Sequence, residues 1–390
     1  MASPNTLTYL TPFMYAGLTE VAREQVGFVP AVGRNATLDT VAVGQTVNIP
    51  IVPQGTSTAI TPANYAPDSG GITPTNVTMA IDNAEQYPIT WTGEEQQTLA
   101  QTGIAGSVYA QQFAQAFRTL SNKVEASIAS LHVKATRAAG TYNVQPFSTA
   151  NDLSDMALAI KILEDNGAPT SDMHCVLSTT AIANIRGKQS VLFKANEAGT
   201  DEMLRRGIIG DIMDVKLHAS AAVKTSVAAG TMASGTTNAT GYAVGSTAIT
   251  LATAGTGFAI AGDILTFAGD TNQYVVASVV HAGANPTAGD VITLAAPGLR
   301  VAIPASATAI TTVAATDRNM LFHRNAIMLA TRAPYLPEGW TGNVQYIQDP
   351  VSKLVFQVAE FEQYRQKRIE VALAWGVGMI RPEYAALVIG

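Results

Sequence analysis

A chain of 390 residues is long enough to bury a large core and to divide into two or three domains. Its hydrophobic share of 47% is ordinary, but charged residues make up only 13%, about half the usual fraction. So few charges suit an extracellular β-rich protein, or a subunit whose surface is consumed by neighbours. The net charge of −6 argues against a dedicated nucleic-acid reader, and the lone Cys175 excludes both an intrachain disulfide framework and a thiolate zinc cluster.

The opening residues show no basic segment ahead of an apolar stretch, so no signal peptide is read. Thr11 and Pro12 suit the cap and first position of a helix. Leu18, Val21, Ala22 and Val26 continue it at helical spacing to about Gln25, as an isolated arm. Residues 41–92 read as one long hairpin. Val47, Ile49 and Ile51 alternate outward; Val77, Met79, Ile81, Tyr87, Ile89 and Trp91 alternate on the return. The tip between them, rich in Gly, Pro, Ser and Thr, is too long a structureless connection for a compact domain, which points to a functional loop. No lysine or arginine occurs from Asn35 to Phe117, whereas Asp39, Asp68, Asp82, Glu85, Glu94 and Glu95 do. A lone two-stranded hairpin is marginal in water and gains stability when laid across another subunit.

Residues 107–139 carry the strongest helical signal. Tyr109, Phe113, Phe117, Leu120, Val124, Ile128, Leu131 and Ala135 step by three or four, a rod of about 50 Å at 1.5 Å per residue. The stripe has no heptad regularity, so it is expected to pack on a sheet or loop. Residues 151–218 alternate helix and strand. The first helix has Asn151 or Asp152 as cap and Gly167 as its stop; "HCVLS" is a strand, "TTAIANIRGK" a helix, and residues 207–218 a turn and strand. Composition then shifts. From Ala219 to Thr316 the only charged residues are Lys224, Asp263, Asp270, Asp290 and Arg300, among short β segments at nearly regular spacing. That pattern is a small antiparallel barrel or sandwich, inserted into an α/β domain that resumes after Asp317. Near the end, the ten apolar residues Val371–Ile380 are too few to span a membrane and read as a strand buried on both faces, with pairing ended by Pro382. No other stretch is a membrane span.

Catalytic constellations are not found. His132, His174, His218, His281 and His323 show no H-x-x-x-H pair, and Cys175 in an apolar strand reads as an inert buried thiol. Gly255 and Gly257 read as a tight turn; no phosphate-binding or nucleophile-elbow motif occurs. Glu94 and Glu95 suit a helix N-terminus better than an acid–base dyad. Arg118, Lys123, Lys134, Arg137, Arg205 and Arg206 are read as solvated positions, with any DNA contact restricted to backbone. The N-x-T triplets at Asn35, Asn76 and Asn238 are what chance gives in a Thr-rich chain. No catalytic, cofactor-binding or metal site is assigned, and no enzyme activity is expected.

The stretch "RIEVALAWGVGMIRPEYAALV" (Arg368 to Val388) resembles the C-terminal signature of tailed-bacteriophage major capsid proteins. "FHRNAIMLATRAP" (Phe322 to Pro334) looks like the segment before it, and "GDILTFAG" (Gly262 to Gly269) is similar to a strand of the extra β-barrel in the subfamily of the phage P-22 coat protein. The order of elements agrees over nearly the whole chain.

This resemblance implies an α+β Hong Kong 97-like capsid fold. Residues 1–40 would be the N-terminal arm, 41–92 the E-loop hairpin, and 93–144 the peripheral domain with its spine helix. Residues 145–218 and 317–390 would be the axial domain, and 219–316 the inserted β-barrel domain. The implied function is a major capsid protein, self-assembling into an icosahedral shell around a phage genome. Its implied partners are copies of itself in hexamers and pentamers, scaffolding and portal proteins, a decoration protein, and packaged double-stranded DNA contacted without sequence preference; no membrane is involved. The implied location is the virion, assembled in the bacterial host's cytoplasm. Some relatives join an E-loop lysine to a neighbour's asparagine, a route closed here by the absence of lysine between Asn35 and Phe117. With five charges, the insertion is not expected to bridge capsomers by salt bridges. The alternatives are an encapsulin-like nanocompartment shell, disfavoured by the β insertion, and a tail or spike adhesin, disfavoured by the long helix.

Overall fold

The computed structural model describes residues 26–41, 44–52, 62, 73–102, 105–189, 211–252, 255–283, 289–336, 342–349 and 352–390. The arm helix ending near Gln25, most of the hairpin tip and Arg205–Arg206 lie outside these residues. The architecture is α+β. One helical turn, α1 (Phe28–Ala31), leads into β1 (Gly33–Val41). β2 (Thr46–Ile51) and β3 (Thr75–Ala80) form a ribbon, followed by β4 (Asn83–Thr92), α2 (Gly93–Thr102) and α3 (Ala105–Ala129). Beyond a 3-10 turn (Ser130–Lys134) come β5 (Arg137–Ala139), α4 (Ser154–Asp165), β6 (Met173–Leu177), α5 (Thr179–Lys188), β7 (Asp211–Ile212) and β8 (Val215–Ala219). The charge-poor region supplies β9 (Ala248–Thr250), β10 (Ile264–Phe267), β11 (Gln273–Val280), β12 (Val291–Leu294) and β13 (Ile310–Thr312). The chain finishes with β14 (Asn319–His323), β15 (Ile327–Pro334), β16 (Val344–Gln348), β17 (Val355–Gln363), β18 (Gln366–Met379) and β19 (Ala385–Val388).

β18 contains the apolar run and sits inside a six-stranded sheet ordered β1-β15-β18-β17-β16, with β4 also on β18. Gln366–Ala372 pair with both β17 and β4, while Ala374 and Trp375 pair with both β15 and β4. Both faces are covered, which is why the segment lacks polar alternation. On one face, Val371, Leu373 and Trp375 meet Phe113, Phe117, Leu120, Val124 and Ile128 of α3. Phe117 and Phe356 of β17 bring their rings to 5.1 Å, and the Trp375 indole donates to Ser127 Oγ at 3.1 Å. On the other face, Met79, Ile81, Ala330 and Ala374 form a small cluster. Gly376 belongs to that face, and a Cβ there would run into the Ala80 carbonyl oxygen; glycine is what lets the end of β3 cross β18 so closely.

The second sheet runs β13-β10-β11-β5-β19-β14-β6-β8-β7, with β12 on β11 and β9 on β12. Met156, Ile162 and Leu163 of α4 and Ile182 and Ile185 of α5 cover one face. Val176, Met320, Phe322 and Leu387 on the other face join the core beneath α3. α5 is capped by Ser178, whose Oγ accepts from Ala181 N at 3.2 Å, and Asp152 accepts from Ser154 N at 2.8 Å ahead of α4. Gly167, at φ +75°, ends the α4 segment as its spacing implied.

Several expectations need correction. The helix expected over 107–139 ends at Ala129, about 37 Å after it begins. Leu131 and Ala135 keep the apolar spacing, but Thr136 N and Oγ1 both donate to Ala385 O (3.1 and 3.0 Å), so the chain has turned toward β19 by that point. The returning half of the hairpin leaves the ribbon after Ala80: β4, with Tyr87, Ile89 and Trp91, is a strand of the central sheet. The stretch read as a free arm up to residue 40 is built in from Phe28, where Phe28, Val29 and Ala31 are fully buried and β1 runs parallel to β15. In the charge-poor region, five of six expected segments are strands; Leu299–Ala305 contributes only the Tyr242–Ile303 bridge. β9, β12, β11, β10 and β13 pair in that order. Residues 235–238 bond both ends, since Ile310 N donates to Gly235 O (2.9 Å) and Asn238 N to Thr250 O (3.0 Å). The strip thereby closes around Ile249, Leu265, Phe267, Ile292 and Ile310. It is also fused to the body, because Gln273 and Tyr274 of β11 pair with β5.

Candidate assembly surfaces and the polar sites around them

The ribbon gains little support from the other described strands. Among the described residues β2 and β3 pair only with each other, Val47 opposite Met79 and Ile49 opposite Val77. Met79 is buried at the base, whereas Val47, Ile49, Ile51 and Val77 are covered only in part. An amphipathic ribbon with one apolar face half covered has hydrophobic area left to bury. Where the returning strand meets α2, Thr92 and Glu95 form a reciprocal cap: Thr92 N donates to Glu95 Oε2 (2.9 Å) and Glu95 N to Thr92 Oγ1 (3.3 Å). These hydrogen bonds hold the exposed Glu95 carboxyl below its ordinary pKa. Glu94 and Glu95 therefore serve the helix start, as their position implied.

Glu125 went unnoticed in the sequence, although a carboxylate in so apolar a stripe was a signal. It is 1% exposed and accepts from three successive backbone amides, Gly27 (3.3 Å), Phe28 (3.1 Å) and Val29 (2.7 Å), and from Ser220 Oγ (2.9 Å). Burial raises its pKa, against the hydrogen bonds it accepts. The carboxylate thus clips the segment before β1 onto the long helix. Arg137, read as a solvated helix charge, is instead 2% exposed. It donates to Asn272 Oδ1 (2.9 Å), Ile162 O (3.2 Å) and Asn166 Oδ1 (3.2 Å), and pairs with Asp165 at 3.4 Å, tying the β11 region to α4. Of the other cations, Lys123 pairs with Glu85, and Lys134 is exposed.

Two histidines that spacing kept apart are joined by strand register. β6 and β8 run parallel with Val176 opposite His218, and His174 Nδ1 lies 2.9 Å from His218 Nε2. His174 Nε2 contacts Asp172 (3.1 Å), which also takes Lys216 (2.8 Å) and Arg324 (3.5 Å). Burial first, then the neighbouring His218, lower the His174 pKa to about 4, and His218 is lowered chiefly by burial. His281 contacts Asp290 (2.9 Å), and His323 Nδ1 accepts from Asn325 N (3.2 Å). Among the described residues no group of three or more His, Cys, Asp or Glu side chains could hold a metal. Cys175 is fully buried, which pushes its thiol pKa up. The Gly255–Gly257 stretch, expected as a tight turn, is instead a bridging segment: Thr256 pairs antiparallel with Ala233, and Gly257, at φ +70°, bends the chain close against the Thr231 carbonyl. Asn35 accepts from Arg332 through O and Oδ1 (2.7 and 2.8 Å), and Asn238 Oδ1 accepts from the Tyr242 hydroxyl (2.7 Å). No helix among the described residues is long and apolar enough to cross a membrane.

No family model matches the chain, and no curated protein matches it. Solved structures do. A chain of Mycobacterium phage Che8 is 14% identical with a TM-score of 0.45, covering 95% of this chain and 93% of its own. A chain of the capsid of cyanophage P-SCSP1u is 11% identical with a TM-score of 0.48, covering 95% and 89%. A virus-like particle from Pyrococcus furiosus is 7% identical with a TM-score of 0.44, covering 97% of each chain.

Proposed function

We propose that this chain is the major capsid protein of a tailed bacteriophage, with a Hong Kong 97-like fold, building a shell from copies of itself. The observation that carries this function is the β2–β3 ribbon, which among the described residues pairs with no third strand and leaves Val47, Ile49, Ile51 and Val77 half covered. A charge content of 13% points the same way, toward a surface spent on neighbours. The ribbon would be what remains of the E-loop expected over 41–92, since β4 lies in the first sheet, and α3 would be the spine of the peripheral domain. Of the axial domain expected over 145–218 and 317–390, α4 to β8 with β14 and β19 would belong to it, while β15 to β18 lie in the first sheet with α3. The inserted barrel would be β9 to β13. Hexamers and pentamers are the expected capsomers; scaffolding, portal and decoration proteins and packaged DNA are the expected partners. The assembled chain would reside in the virion after assembly in the host cytoplasm.

Each contact would bury apolar area at about 25 cal/mol per Å², heavily offset by lost rigid-body freedom. Obligate interfaces of this kind exceed about 2,000 Å². Assembly is the activity, and no catalytic step is assigned. The test is removal of residues 54–75, the tip and the first residue of β3. Soluble, folded subunits unable to close shells are the expected result, and intact shells of wild-type size would refute the role given to the ribbon.

A further inference from the structure

At the seam between the closed β strip and the body lies a cation with nothing to hold. Arg318, just before β14, is 1% exposed, and its Nε, Nη1 and Nη2 all lack a hydrogen-bond partner. A buried guanidinium offers five donors and no acceptor, so leaving all of them unmade is among the costlier arrangements a fold can hold. Its backbone amide is engaged: Arg318 N donates to Lys224 O at 2.8 Å.

The carboxylate whose charge is felt at Arg318 does not meet the need. Asp263, 1% exposed, is close enough for its charge to be felt at Arg318, yet its oxygens already accept from Gly230 N and Ile260 N, each at 2.8 Å. The Arg318 pKa is lowered to about 10 by burial, which Asp263 only partly opposes. His132, 7% exposed, borders the same region. Its Nδ1 lies 3.0 Å from Ala129 O, to which it donates. The charges that lower the His132 pKa, after burial, are Arg318 and Lys224, and both are positive. Lys224 itself is exposed and marks the solvent side of the seam.

We infer that Arg318, with Lys224 at its rim, forms an internal binding site for a tetrahedral oxyanion of the phosphate class. The guanidinium matches two oxygens of such a group side by side. Occupancy would lock the closed strip against β14 and the turn after α3.

The experiment is equilibrium dialysis of the full chain against radiolabelled inorganic phosphate in chloride-free buffer, with sulfate as competitor. The expected result is saturable uptake of about one phosphate per chain, displaced by excess sulfate, and lost in Arg318→Met. Should Arg318→Met fail to fold by circular dichroism, exposed Lys224→Ala replaces it, with binding weakened several-fold. No saturable uptake by the wild-type chain would leave water as the only occupant and overturn the site. Equal uptake by the wild-type chain and whichever variant is folded would place the phosphate elsewhere and overturn it equally.

Discussion

Glu125→Ala removes the one acceptor that serves three consecutive amides, and its cost follows from the geometry. The amides of Gly27, Phe28 and Val29 and the Ser220 hydroxyl lose their partner at a site 1% exposed. Each buried donor left unmade costs about 1–3 kcal/mol, and the methyl side chain offers nothing in return. The gross loss is moderated because the ionised carboxylate itself was expensive to bury. The net expectation is a loss of about 3–5 kcal/mol at neutral pH, read by urea unfolding of unassembled subunits through tryptophan fluorescence. The pH dependence has a definite sign. Burial raises the folded-state pKa of Glu125 above its ordinary value of 4.5, so its contribution is fully present below pH 4.5 and declines as pH rises through the raised value. Glu125→Gln cannot titrate, so the gap between it and the wild type should change across that window. A Glu125→Ala variant within about 0.5 kcal/mol of wild type, with an unaltered pH profile, would refute the clip.

Three further outcomes are expected. Gly376→Ala drives a Cβ into the Ala80 carbonyl and should cost about 1–3 kcal/mol in thermal unfolding, while Gly187→Ala, a helix position with open space around it, should gain about 0.5–1 kcal/mol. Because the His174 pKa is lowered to about 4, that residue's stabilisation is present above pH 6.5 and lost as pH falls toward 4. The loss should reach about 1–3 kcal/mol in urea titrations at pH 6.5 and 4, with His174→Gln flattening the difference; an equally steep wild type and variant would count against it. Assembled particles boiled in SDS should run as a single band near 40.7 kDa, since residues 35–117 contain no lysine; a ladder would contradict a non-covalent shell.

Local periodicity made much of the fold legible. The apolar stripe from Phe113 to Ile128 announced α3, and the unbroken run from Val371 announced a strand covered on both faces. Other features depend on which strands meet, and no local pattern encodes that. Tyr87, Ile89 and Trp91 alternate equally well in a ribbon or in the central sheet; their pairing with β18 decided the matter. Ala135 fits the helical stripe, yet its neighbour Thr136 is held by Ala385, a residue near the other end of the chain. His174 and His218 meet only because β6 and β8 run parallel in one register. Arg137 and Arg318 looked like solvated charges or passed unnoticed, because burial of a charged residue is set by what folds over it.

Negative-stain microscopy coupled to size-exclusion chromatography of the purified full chain, alone and co-expressed with neighbouring reading frames, tests the central claim most directly. Closed shells or capsomer rings eluting near the void volume are the predicted result. A 40.7 kDa monomer under every condition would contradict it, and persistent elongated trimers would favour an adhesin instead.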